Sequence, residues 1–253
     1  MGNWDSKQYL KFEKERTQPS RDLIHRLDCA PRTVLDVGCG PGNSTFALKQ
    51  RFPDAEILGI DNSENMIENA KSAHPDLLFR FQEVDSRFQT DSKYDLIFSN
   101  ACIHWIPNHA ELIPNMLNAL NTGGTLAIQI PKPWNMPMYQ ILGRLQQQPE
   151  WTKIRGVRNF HARQPEEYYD LLTAHAAEFA MWETAYIQTM DGIEGIVEWY
   201  RGSGLRPYLA ALTAPEQEKL LAVLREELAE FYPLRTNGKV MMRFPRLFFT
   251  AKR

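Results

Sequence analysis

A glycine-rich turn with an acidic residue directly before it is the feature of this sequence best suited to chemistry. The segment LDVGCGPGNST, residues 35–45, places Gly38, Gly40 and Gly42 at every second position after Asp36. Glycine has no Cβ, so a turn of this type lets the backbone bend sharply and approach a ligand closely. The acidic side chain beside it suits a cationic group better than a pyrophosphate. We therefore expect a ligand site at this turn.

Two more acidic residues extend this pattern. Asp61 ends a hydrophobic run 23 positions after Gly38, where dinucleotide folds use an acid to bind ribose hydroxyls. Asp85, followed by Ser86, ends the next run and is placed to contact an adenine edge. Together the acids outline a nucleoside that carries an amino-acid tail, which S-adenosylmethionine fits. NAD fits less well, because Asn43 replaces the last glycine of the dinucleotide fingerprint Gly-x-Gly-x-x-Gly.

Alternating strands and helices are expected to position these residues. Short β-branched runs predict strands at TVLDV, AEILGID, DLLFRFQEVD, YDLIFSN and GTLAIQI. The helices between them are NSTFALKQRF, capped by Asn43 or Ser44; SENMIENAKSAH, capped by Ser63; and NHAELIPNMLNALNTGG, closed by Gly123 and Gly124. This alternation predicts a parallel sheet with ligands bound beyond the carboxyl ends of the strands.

The remaining segments complete the predicted architecture. Apolar spacing in residues 1–30 predicts two short helices separated by Pro19, and Thr213 with Glu216 forms a capping box for a helix near the end of the chain. The expected fold class is α/β, a Rossmann-like doubly wound, mostly parallel seven-stranded sheet with a helical insertion or cap. The expected division is an N-terminal helical lid at 1–30, the ligand-binding core at 31–131, a mostly helical insertion or cap at 132–181, and strands and helices at 182–253 that complete the sheet and the acceptor pocket.

Composition excludes several classes of function. The 253 residues carry 29 basic and 31 acidic side chains, a net charge of −2, and so lack the basic field of a nucleic-acid binder. The cysteines and the six histidines show no spacing typical of a disulfide framework or a metal site, and no metal is expected. No stretch approaches the length of a membrane span, so no membrane association is expected. We expect a soluble, cytoplasmic protein and favour a monomer.

The sequence resembles known methyltransferases at these motifs. Asp-x-Gly-x-Gly-x-Gly at residues 36–42 resembles the first motif of the class I S-adenosylmethionine-dependent methyltransferases. The segments QYLKFEKERTQPSRDL, SNACIHWIPNHAELIP, GLRPYL and FPRLFFTAKR resemble the trans-aconitate 2-methyltransferase family over nearly the whole chain. The resemblance implies transfer of a methyl group, by in-line SN2 displacement, to a carboxylate of a small anionic polycarboxylate, with trans-aconitate the expected acceptor. The products would be the monomethyl ester and S-adenosylhomocysteine.

The resemblance also implies which residues bind the two ligands. Asp36, Gly38 and Gly40 would contact the methionine part of the cofactor, Asp61 the ribose, Asn62, Met66, Asp85 and Ser86 the adenine, and Asn100 the region near the sulfonium. Arginine binds carboxylates through its bidentate fork, and three arginines in the family-like segments are acceptor candidates. The candidates for the acceptor pocket are Tyr9, Arg16, His104, Trp105, Arg206 and Arg246. No catalytic base is expected, since an ionised carboxylate is already a nucleophile, although His104 is a possible one for another acceptor.

Two departures from the family leave the acceptor open. His104 stands where the family commonly has glutamine, and Lys132 with Pro133 replaces an acidic residue and asparagine. The alternative is another small-molecule or carrier-protein carboxyl methyltransferase, such as the malonyl-carrier-protein type. A dinucleotide-dependent oxidoreductase, a cofactor-binding sensor without activity and a nucleic-acid methyltransferase fit the same residues less well.

Overall fold

The fold is built around one seven-stranded sheet. The structure is a computed structural model that describes residues 13–134, 136–157 and 160–253, and for residues 13–16 it describes only the backbone. The spatial order of the strands is β3-β2-β1-β4-β5-β7-β6. Their bounds are β1 Thr33–Val37, β2 Glu56–Asp61, β3 Leu78–Phe81, β4 Tyr94–Asn100, β5 Leu120–Pro131, β6 Glu178–Met190 and β7 Val240–Lys252.

Helices connect and cover these strands. The α-helices are α1 Glu13–His25, α2 Asn43–Arg51, α3 Glu64–Ala73, α4 His109–Asn118, α5 Pro137–Leu145, α6 Pro165–His175, α7 Gly192–Arg201, α8 Arg206–Ala210 and α9 Ala214–Phe231. Short 3₁₀ turns lie at Ile103–Trp105 and Pro149–Ile154.

The pairing of the strands confirms the predicted fold class. Strands β1 to β5 pair in parallel, and β7 pairs antiparallel with β5. Four of the five residues of β1 are buried, as expected of a central strand covered on both faces. The order reverses between β1 and β4, and in such sheets ligands bind outside the carboxyl ends of the strands at that point.

Several local predictions were confirmed and others were wrong. Ser63 caps α3 by accepting a hydrogen bond from the Met66 amide, and Thr213 with Glu216 forms the capping box of α9. Helix α1, however, runs continuously through Pro19. Its apolar face, with Leu23 fully buried, offsets the backbone hydrogen bond that proline cannot donate.

Three predicted element ends also differ from the structure. Helix α2 is capped by Gly42 in the left-handed conformation, because the Ser44 hydroxyl bonds to Asp36 instead of the helix end. Helix α4 ends at Asn118, so Gly123 and Gly124 lie inside the long strand β5. Strand β3 ends at Phe81, so Asp85 and Ser86 do not close it.

The chain divides into two compact units. The first contains residues up to 131 together with 161–184 and 246–253, and the second contains 132–160 and 185–245. The sheet-forming core lies in the first. In the second, Leu220, Leu224 and Leu228 of α9 are fully buried. Within the described ranges no helix is long and apolar enough to cross a membrane. The four segments expected from the sequence remain a prediction; residues 161–184 and 246–253 group here with the core.

Candidate active site

The glycine turn lies at the carboxyl end of β1 and is held against the end of β2. Gly38 and Cys39 donate backbone hydrogen bonds to the Ile60 carbonyl oxygen, at 2.8 and 3.0 Å. The φ angles of Gly38, Gly40 and Gly42 are +75°, +54° and +95°, a region that side chains rarely adopt. This explains the alternation of glycines in the sequence.

These glycines serve different purposes. A Cβ at Gly38 would lie 2.2 Å from the Cys102 Sγ, so Gly38 allows the segment after β4 to pack directly on the turn. A Cβ at Gly40 would have no described heavy atom within 4 Å. The backbone at Gly40 is thus the open side of the turn, where a ligand can approach.

Asp36, at the start of the turn, presents one bonded and one unbonded oxygen. The Ser44 and Thr45 hydroxyls donate to Oδ2 at 2.6 and 2.7 Å, while Oδ1 is buried without a hydrogen-bond partner among the described residues. Burial raises the pKa of Asp36 to about 6, with the two hydroxyls acting in the opposite direction. A buried carboxylate oxygen of this kind is suited to a cationic donor.

Asp61 connects the glycine turn to the next crossover. Its Oδ2 accepts the Gly40 amide at 3.0 Å, and its Oδ1 accepts the Ser63 amide at 2.9 Å. Burial raises the pKa of Asp61, and these backbone hydrogen bonds oppose that shift. Asp61 therefore holds the open turn in place while its remaining lone pairs stay available for a hydroxyl donor. Nearby, Asn62 is exposed, and Met66 is only 3% exposed.

Asp85 and Ser86 lie in the segment that follows β3, with their side chains already engaged. The Asp85 carboxylate accepts the Arg87 guanidinium at 2.8 Å, which lowers the pKa of Asp85. The Ser86 hydroxyl donates to Glu111 of α4 at 2.6 Å. Their assignment to an adenine edge stays a prediction.

The carboxyl end of β4 adjoins the glycine turn. The Ser99 hydroxyl donates to the Val37 carbonyl oxygen at 2.8 Å, fastening β4 to β1. Asn100 ends the strand, and its buried Oδ1 has no partner among the residues described. Ala101 follows with a φ of +51°. Positive φ in a residue with a Cβ costs energy and is often found at functional sites.

A cationic residue and a neutral histidine lie beyond the end of β4. Arg246 of β7 is only 6% exposed, and it pairs in register with Pro131 at the end of β5. His104 is buried at 3% exposure, and its ring lies 4.8 Å from the Trp105 ring. Burial, followed by the charge of Arg246, holds the pKa of His104 well below its usual value. This part of the site thus carries one buried positive charge and a neutral imidazole.

Of the other predicted acceptor residues, two have side chains outside the described residues and one belongs to the second unit. Tyr9 and the side chain of Arg16 lie outside the described residues. Arg206 begins α8 in the second unit. Among the described residues, no group of three or more His, Cys, Asp or Glu side chains could hold a metal ion.

Sequence reasoning missed Gln129 of β5. It is fully buried, and neither its amide nitrogen nor its amide oxygen has a hydrogen-bond partner among the described residues. Its Cα pairs in register with that of Asn100. The only sequence signal was a long polar side chain inside the apolar strand GTLAIQI.

Comparisons with known proteins identify the family. Residues 31–190 match the model of a methyltransferase domain family. The chain is 43% identical to a trans-aconitate 2-methyltransferase of Azoarcus sp. (strain BH72), over 100% of both chains. It is 40% identical to one of Methylobacterium nodulans, over 100% of this chain and 99% of that one.

Solved structures show the same fold at lower identity. The YcgJ protein of Bacillus subtilis aligns with a TM-score of 0.62 at 18% identity, covering 93% of this chain and 98% of that one. The Haemonchus contortus phosphoethanolamine N-methyltransferase 2, solved with S-adenosyl-L-methionine, aligns with a TM-score of 0.56 at 15% identity, covering 93% and 52%. The fold, the site and the full-length relatives lead to one conclusion: the chain belongs to the trans-aconitate 2-methyltransferase family.

Proposed function

We propose that the protein transfers a methyl group from S-adenosylmethionine to a carboxylate of trans-aconitate, giving the monomethyl ester and S-adenosylhomocysteine. The observation that carries this proposal is the buried guanidinium of Arg246 at the end of the sheet that also holds the glycine turn. An arginine that is nearly removed from water suits an anionic acceptor. The full-length relatives named above support trans-aconitate as that acceptor.

The residues of the turn fit the cofactor. Asp36 Oδ1, buried and without a described partner, suits the ammonium group of the methionine part. The backbone of Gly40 leaves room that a Cβ would fill, and Asp61 retains lone pairs for ribose hydroxyls. Asn62, Met66, Asp85, Ser86 and Asn100 are proposed for the remaining contacts. When bound, the cofactor supplies an electrophilic methyl group to a carboxylate oxygen.

The acceptor site requires orientation of an anion, with no proton to remove. Arg246 neutralises a carboxylate, and His104, neutral at physiological pH, supplies a hydrogen bond without a second charge. Trp105 adds an aromatic wall, and we propose Tyr9, Arg16 and Arg206 as further acceptor contacts. Holding two reactants in a productive orientation contributes roughly 7–11 kcal/mol in well-positioned reactions. We therefore assign catalysis to positioning.

The test is the release of S-adenosylhomocysteine with trans-aconitate, cis-aconitate, citrate and malonyl carrier protein compared at equal concentration. We expect the highest kcat/KM with trans-aconitate. Preferred turnover of the carrier protein would instead identify the carrier-protein carboxyl methyltransferase that the sequence left open. Turnover of none of these acids would refute the proposed acceptor.

The same proposal includes the oligomeric state and the cellular location of the enzyme. We propose that the enzyme acts in the cytoplasm as a monomer on a free small acid. Gel filtration coupled to light scattering measures the mass of the particle. A dimer at assay concentrations would contradict the proposed monomer.

A further inference from the structure

Gln129 has a buried side chain that the fold itself does not use. Both polar atoms of its amide lack a hydrogen-bond partner among the described residues, and the side chain is fully buried. Buried amides in proteins are nearly always hydrogen-bonded, and leaving one unbonded destabilises the folded state. An apolar residue of similar shape would avoid this cost. The amide therefore indicates a partner that is not part of the described chain.

Strand register places this amide in the site described above. Gln129 pairs with Asn100 of β4 on one side and with Phe248 of β7 on the other, and Pro131 pairs with Arg246. Side chains of paired residues, and of residues two apart on a strand, lie on the same face of a sheet. Gln129, Asn100 and Arg246 thus share one face near the carboxyl ends of β4 and β5.

The spacing suits a ligand that bridges Gln129 and Arg246. The two residues are diagonal neighbours on paired antiparallel strands, and such Cα atoms lie about 7–8 Å apart, within reach of long side chains. A carboxylate between them accepts hydrogen bonds from the Gln129 amide nitrogen and from the Arg246 guanidinium.

The neighbour of Gln129 on β7 is removed from water, which strengthens such an interaction. Phe248, its neighbour on β7, stacks on Trp182 with ring centroids 5.3 Å apart and an interplanar angle of 6°. Phe248 is itself fully buried. Hydrogen bonds to a charged group gain strength where water is excluded.

We propose that Gln129 is an acceptor-binding residue, whose amide nitrogen donates to the carboxylate that Arg246 neutralises. This rests on the proposed function and adds to it a second donor for the anion. Because the amide is neutral, it adds orientation without a second positive charge. It also favours a planar carboxylate, which offers two oxygens to two donors, over a group with a single acceptor atom.

The first experiment measures binding apart from turnover. Calorimetry titrates trans-aconitate into the complex of the protein with S-adenosylhomocysteine, which has no methyl group to transfer. The variants are Gln129→Met and, as a second apolar shape, Gln129→Leu. Thr125→Val is the matched control. Thr125 lies on the same strand and the same face, is 7% exposed, and lies four residues closer to the amino end of β5.

We expect the trans-aconitate Kd to rise about 10- to 100-fold in both Gln129 variants, the range for losing a hydrogen bond to a charged group. The Kd for S-adenosylhomocysteine should stay within about twofold, as expected for a residue outside the cofactor site. The Tm without ligand should stay level or rise, because an unbonded polar group has been removed. Thr125→Val should bind trans-aconitate like the wild type.

Other outcomes separate this inference from the proposed function. An unchanged trans-aconitate Kd in the Gln129 variants would overturn the inference alone. A fall in Tm with unchanged binding would do the same and assign the amide to structure, for instance through an internal water. If the wild-type complex binds no trans-aconitate, the proposed acceptor and the role of Gln129 toward it both fail.

Shortened acceptors identify the carboxylate concerned. Itaconate, glutaconate and mesaconate each correspond to trans-aconitate without one carboxyl group. In the S-adenosylhomocysteine complex, substituting Gln129 should raise the Kd for two of these diacids and leave unchanged the Kd for the one that lacks the carboxylate in question. Equal losses for all three diacids would contradict a specific contact.

Discussion

The protonation of Asp36 predicts how cofactor affinity depends on pH. Burial raises its pKa to about 6 in the free protein, and Oδ1 is available for a cationic group. An ammonium bound there favours the ionised carboxylate, so binding releases a proton wherever Asp36 is protonated beforehand. Affinity is then constant above the pKa of about 6 and falls as the pH drops below it. The Kd of S-adenosylhomocysteine should be about tenfold higher at pH 5 than at pH 7.

A second ligand isolates the contribution of Asp36. Asp61 is also a buried carboxyl with a raised pKa, and its protonation should affect any ligand that carries the ribose. Methylthioadenosine contains the adenosine but lacks the ammonium and carboxylate of the amino-acid tail. Calorimetry of both ligands between pH 5 and 7.5 measures the difference, and that difference belongs to Asp36. Identical pH dependence for the two ligands would refute the assignment of Asp36 to the ammonium.

The variant Asp36→Asn tests the same reasoning through stability. The folded-state pKa lies above the unfolded one, so the contribution of Asp36 to stability is greatest below the unfolded pKa and is lost as the pH rises through about 6. At pH 7 the ionised group costs roughly 3 kcal/mol, from about two pKa units at 1.36 kcal/mol each. An asparagine oxygen still accepts from Ser44 and Thr45. We therefore expect Asp36→Asn to raise the Tm of the free protein by several degrees and to raise the Kd of S-adenosylhomocysteine about 10- to 100-fold. A lower Tm would contradict the energetic cost assigned to the ionised carboxylate.

Two further predictions concern the glycine turn and His104. Gly40→Ala should lower the free energy of unfolding by about 1 kcal/mol or slightly more, because of its positive φ, and should weaken the binding of S-adenosylhomocysteine. Gly38→Ala should lower the Tm much further, because its Cβ would meet the Cys102 Sγ at 2.2 Å. Wild-type cofactor affinity in Gly40→Ala would show that no ligand contacts the open side of the turn. His104→Gln should keep kcat/KM for trans-aconitate within about threefold, because glutamine still donates one hydrogen bond. The pH profile of kcat/KM should stay unchanged near pH 6.5, since the buried imidazole is already neutral. A pH-dependent limb in the wild type that disappears in the variant would identify His104 as a base.

Strand periodicity made the core of the fold predictable, but strand register was not. The alternation of β-branched runs and helices predicted the parallel strands, and the glycines predicted a turn that requires positive φ. A local pattern does not determine where the long strands β5, β6 and β7 pair, because that depends on contacts between distant segments. Gln129 became visible as a site residue only through its pairing beside Asn100 and near Arg246. Asp85 was misplaced because the strand predicted at DLLFRFQEVD runs four residues past Phe81, where β3 ends.

The features that destabilise the free protein lie at the same edge of the sheet. The unbonded oxygen of Asp36 lies at the end of β1 just before the glycine turn, Ala101 has positive φ after β4, and Gln129 keeps an unbonded amide near the end of β5. A ligand that forms hydrogen bonds with these groups removes the free-energy cost that they impose on the free protein, and this gain contributes to its binding. The two ends of this edge differ in charge, with Asp36 on the turn side and Arg246 beyond β5. In the proposed reaction this polarity favours the ammonium of the cofactor beside Asp36 and the anionic acceptor beside Arg246. This distribution of charge therefore determines where each ligand binds, and it requires no general base.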